Sequence, residues 1–122
     1  MSLQVYKIIH FAGVFMVMVS LGAVIAYAAA GGEKKNFAYR KTVGMTHGLG
    51  LFLALLGGFG MLARLEIHWP WPGWVIGKLL IWLLLGAMIA IAYRGKLSGK
   101  VQWWGIILLG VAAAYLGGMK PF

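Results

Sequence analysis

Leu3-Gln4-Val5-Tyr6-Lys7-Ile8-Ile9-His10-Phe11-Ala12-Gly13-Val14-Phe15-Met16-Val17-Met18-Val19-Ser20-Leu21-Gly22-Ala23-Val24-Ile25-Ala26-Tyr27-Ala28-Ala29-Ala30 carries one formal charge, Lys7, and contains no proline. About 20 apolar residues suffice to cross the hydrocarbon core of a bilayer, and this stretch exceeds that. It lacks the short apolar region and small-residue cleavage site of a removable signal peptide, so it reads as a retained membrane helix. The rest of the chain repeats the pattern. Gly31-Gly32 ends the run and Glu33-Lys34-Lys35-Asn36 forms a polar turn. A second apolar run follows, then Trp69-Pro70-Trp71-Pro72-Gly73-Trp74, where two prolines break helix and three tryptophans suit the headgroup level. Two further runs end at Arg94-Gly95-Lys96 and at Gly117-Gly118. The expectation is an all-α integral membrane protein: a single transmembrane domain over residues 1–122, folded as a four-helix bundle with helices at about 3–30, 37–65, 73–93 and 101–119.

Composition agrees with that reading. The chain has 122 residues, 62% hydrophobic and 11% charged, whereas soluble domains carry about 25% charge. It contains two acidic residues and no cysteine, which excludes paired-carboxylate hydrolysis, thiolate metal sites and disulfides. The net charge of +9 sits in short clusters between apolar runs, so it reads as a topology signal and not as a nucleic-acid surface. No nucleic acid is expected as a partner. Lys34, Lys35, Arg40 and Lys41 flank the first loop, and Arg94, Lys96 and Lys100 the third. By the positive-inside rule both loops are cytoplasmic, which puts both termini and the Trp-Pro loop on the outer face.

Ionisable groups within a span cost about 2.5–3.5 kcal/mol on insertion scales and usually mark function. Here they are His10, His47 and Lys78. At 1.5 Å per residue, His10 lies about 10 Å into the first helix and Lys78 about 6 Å past the interfacial Trp74. Both helices enter from the outer face, so the two side chains share a depth and lie within reach of one flat cofactor if the helices are neighbours. Gly13 follows His10 by one turn on nearly the same face and would clear room for it. His10 reads either as an imidazole hydrogen-bonded to a neighbouring helix or as a haem-iron ligand. Lys78 either snorkels past Trp74, supplies an amine ligand, or pairs with a propionate. His47 belongs to the opposite leaflet, among Gly44, Thr46, Gly48 and Gly50, where tight packing or a second flat ligand such as a quinone would both fit. His68 reads as a loop histidine. No dinucleotide fingerprint, P-loop, zinc-protease motif or acidic cluster is present, and no central acid supports drug–proton antiport.

Tyr6-Lys7-Ile8-Ile9-His10-Phe11-Ala12-Gly13-Val14 and Pro72-Gly73-Trp74-Val75-Ile76-Gly77-Lys78-Leu79-Leu80-Ile81-Trp82-Leu83-Leu84-Leu85 resemble the first helix and the Gly-Trp-x-x-x-Lys-Leu-Leu helix of HemJ-type protoporphyrinogen oxidases, a pattern shared with CopD-like small membrane proteins. The resemblance covers about a third of the chain. It implies a haem b protein of the bacterial inner membrane that oxidises protoporphyrinogen IX to protoporphyrin IX and passes electrons to the respiratory chain. The family's helix-one histidine falls on His10 and its motif lysine on Lys78. The expected site is therefore His10 as metal ligand, with Lys78, Gly13 and His47 as further cofactor-binding positions and His10 and Lys78 as the catalytic pair. Expected partners are membrane lipid, a tetrapyrrole or quinone-like small molecule, and a second copy or larger membrane complex. The rival expectation is a non-catalytic membrane subunit or anchor whose Gly- and Trp-rich surfaces pack against other membrane helices.

Overall fold

In the computed structural model, which describes residues 2–122, four helices follow one another up and down: α1 Leu3–Ala29, α2 Arg40–Arg64, α3 Gly73–Arg94 and α4 Gly99–Met119. Among the described residues there is no strand. Each helix is long and apolar enough to cross a membrane, and the protein is an integral membrane protein on that ground. The termini of α1 are set locally. The Ser2 hydroxyl accepts from the Val5 N–H at 3.3 Å, and the chain leaves the helix through Gly31 at φ 93°, where a side chain would be strained. Gly95, at φ 68°, ends α3 in the same way.

Two helix starts differ from the sequence expectation. α2 begins at Arg40 and not near Phe37, because Phe37 leaves the helical path to stack on Tyr27, with ring centroids 4.0 Å apart and planes 13° apart. The Tyr27 hydroxyl donates to the Glu33 carbonyl at 2.7 Å, and Lys34 to Asn36 form a single 3-10 turn beneath it. α4 begins at Gly99, two residues before the expected start, because the Ser98 carbonyl already accepts from the Gln102 N–H at 3.1 Å.

α1 is the central helix. It packs along the length of α2 and also touches α3 and α4, while α2 and α3 meet only sparingly. The tight α1–α2 seam has a simple cause. Gly50, Ala54 and Gly57 recur at a spacing that places them on one face of α2, and small residues let backbones approach where packing drives association. A Cβ at Gly57 would lie 2.5 Å from the His10 backbone nitrogen, and one at Gly13 would fall onto the backbone of Ala54 and Gly50. Buried side chains gather in two groups. Val17, Leu21, Val24 and Ile25 of α1 meet Val43, Ala92 and Ile106 toward the end that carries the basic loops. Leu62, Trp74 and Val75 close the other end.

Candidate functional site

Between these groups lies a cavity of about 280 Å³ to which all four helices contribute. His10 comes from α1, Ala54 and Gly58 from α2, Lys78 and Trp82 from α3, and Gly117 from the end of α4. The remaining wall is largely apolar, with Val14, Leu51, Leu79 and Ala113 among it. The volume lies just below the usual range for ligand pockets, about 300–1,000 Å³.

His10 owes its setting to the glycines of the α1–α2 seam. Because Gly57 lets α1 come within backbone distance, the imidazole reaches across to α2, and its Nδ1–H donates to the Ala54 carbonyl oxygen at 2.7 Å. A carbonyl oxygen can only accept, so the proton of the neutral ring sits on Nδ1 and Nε2 carries the lone pair. This is the arrangement that orients a metal-binding histidine and raises its basicity.

Lys78 lines the same cavity, half-buried, with its ammonium beside Gly117: a Cβ there would stand 2.9 Å from Nζ. Among the described residues no side-chain carboxylate lies within ion-pairing distance of Lys78; the ion pair seen, Lys35 with Glu33 at 3.4 Å, is at the opposite end of the bundle. Trp82 fixes the α3 wall by donating its Nε1–H to the Leu51 carbonyl at 3.0 Å.

The structure thus brings His10 and Lys78 onto one cavity wall, of which Gly13 and His47 are not part. Gly13 does not line the cavity. The space above it is filled by the α2 backbone, so it seats α1 on α2. His47 is also absent from the cavity wall. It is 4% exposed and donates from Nε2 to the Leu85 carbonyl of α3 at 3.2 Å. His47 stands ten residues before Gly57, the α2 residue level with His10, hence about 15 Å away along the helix axis. Its burial and its bond to Leu85 pack α2 against α3. His68 is exposed in the loop between α2 and α3.

Three contributors were not singled out from the sequence: Lys120, Gly117 and Trp82. Lys120 reaches the cavity mouth from just beyond α4 and donates to the Gly117 carbonyl at 2.7 Å. Its position at the same end of the bundle as Lys78 was the available signal. Among the described residues no group of three or more His, Cys, Asp or Glu converges as a metal centre would. No family model, no curated protein and no solved structure matches the chain.

Proposed function

We propose that the chain is a small redox protein of the bacterial inner membrane that binds b-type haem near the outer face through His10, with both termini on that face. The observation that carries the reading is the His10 imidazole on the cavity wall, with its Nδ1–H held by the Ala54 carbonyl. Among the described residues no acidic or cysteine cluster joins His10, and a single imidazole would suit a metal that brings its own ring of nitrogens. The apolar wall suits the body of a porphyrin, and the ammonium of Lys78 suits its propionates or a further ligand position. When bound, the haem would supply one-electron chemistry, while the protein sets ligand identity, burial and orientation.

Under this reading His10 is the iron ligand. Lys78 holds a carboxylate, and Trp82 and the α1–α2 seam keep the walls at a fixed separation. The activity proposed with it is HemJ-like oxidation of protoporphyrinogen IX, electrons passing to a quinone of the respiratory chain. The purified protein, expressed with ample haem, should show a Soret band and sharp reduced α and β bands, and membranes containing it should convert protoporphyrinogen to fluorescent protoporphyrin with quinone as acceptor. A colourless, inactive protein would move the assignment to a non-catalytic membrane subunit. Reporter fusions at residues 36, 70 and 98 test the orientation: an outside signal at 36 and 98 with an inside signal at 70 would reverse it.

A further inference from the structure

Two lysines from different helices converge at the outer mouth of the cavity. Lys78 projects from α3, and Lys120 follows the last turn of α4. Both ammonium groups flank Gly117: Lys120 Nζ donates to its carbonyl at 2.7 Å, and Lys78 Nζ occupies the space that a side chain at 117 would take, 2.9 Å from the Cβ position. Both cations thus stand against one residue, and like charges so placed repel. Lys120 lies 5.2 Å from the centroid of the Trp74 ring, which steadies it by cation–π attraction. Among the described residues no side-chain carboxylate pairs with either lysine, and Lys78 has no hydrogen-bond acceptor at all.

Two like charges held together at a membrane interface oppose one another unless an anion joins them. An ammonium carries three donors, so after the bond to Gly117 Lys120 keeps two and Lys78 keeps three. Below them the cavity is apolar, running down past Leu79 and Val14. The seam between α2 and α3 is tied by His47 to Leu85 and by Trp82 to Leu51, and the two helices otherwise touch little. An amphiphile with its apolar body in the bilayer can therefore reach the cavity from the side, head toward the lysines.

We propose that Lys78 and Lys120 form an oxyanion clamp at the cavity mouth that binds a carboxylate or phosphate carried on an apolar body. The clamp shares a cavity with the haem reading but does not need iron. Its two natural sources are the carboxylates of a tetrapyrrole and the phosphate of an acidic lipid headgroup.

The test uses the full chain in phosphatidylcholine nanodiscs and metal-free protoporphyrin IX, with its dimethyl ester as the same ring without carboxylates. Binding is read by porphyrin fluorescence. Loss of one charge-assisted contact should weaken the free acid about tenfold in Lys78→Gln and in Lys120→Gln. The ester should bind at the weakened level and be indifferent to both substitutions. Lys120→Arg should bind like the wild type, which separates charge from folding. Gly117→Ala, which keeps both charges but crowds Lys78, should weaken the acid as well. Competition by a small fraction of phosphatidylglycerol would assign the clamp to lipid phosphate, and its absence to ring carboxylate. Equal binding of acid and ester, unchanged in the lysine variants and without phosphatidylglycerol competition, would overturn the clamp. A His10-dependent haem spectrum alongside that result would leave the haem reading standing, whereas lysine-dependent porphyrin binding without any haem spectrum would do the reverse.

Discussion

His10 and His47 are both membrane-embedded imidazoles, and both donate to a backbone carbonyl of a neighbouring helix, at 2.7 Å and 3.2 Å. What differs is the surroundings of the residue. His10 borders a cavity shared with Lys78, whereas His47 is walled in by packing and 4% exposed. An imidazole bonded to a carbonyl is satisfied at one nitrogen in either place; only where the second nitrogen meets open space can it bind anything. A buried titratable residue is thus a functional candidate by its surroundings and not by its depth alone.

The largest effect is expected at the seam that positions His10. Gly57→Val should drive α1 off α2, since its Cβ would stand 2.5 Å from the His10 backbone nitrogen. Overpacking of this kind costs about 1–3 kcal/mol, and the His10–Ala54 bond should go with it, so both denaturation midpoint and cofactor content should fall. Lys78→Met comes next. It keeps the apolar volume and removes the charge, and it should leave insertion and folding intact while shifting or abolishing the haem spectrum and tetrapyrrole oxidation. His47→Ala is the counterpart on the packed side: loss of its bond to Leu85 and of buried volume should lower stability by about 1–2 kcal/mol in a denaturant titration with the cofactor spectrum kept. Smallest of all should be Gly44→Ala and Gly48→Ala. No atom lies within 4 Å of a Cβ at either position, and stability should stay within about 0.5 kcal/mol of the wild type.

The four spans were legible in the sequence because their signal is length and apolarity, which the bilayer imposes on each helix separately. The ends were less so: the Tyr27–Phe37 stack that delays α2 is a contact between residues on two sides of a turn. The pairing of His10 with Lys78 followed from depth alone, but the partner of His10 could not be read. It is a backbone carbonyl, a group that every residue carries. Glycine spacing was ambiguous for a similar reason. Gly44 and Gly48 have the regular four-residue spacing and face open space, while Gly57 and Gly60 sit against His10 and the Tyr6 ring. Spacing says that two glycines share a face, and which face is covered depends on the neighbouring helix. Lys120 lies beyond the last apolar run, where a cation reads as a solvated end until α4 is packed against α3.

The two histidines are assigned different roles, and a reduced-minus-oxidised spectrum of His10→Ala beside His47→Ala, both expressed with ample haem, tells those roles apart. The sharp reduced bands should vanish in His10→Ala and persist in His47→Ala. Bands that persist in His10→Ala and vanish in His47→Ala would place the iron at the packed end of the bundle and contradict the account.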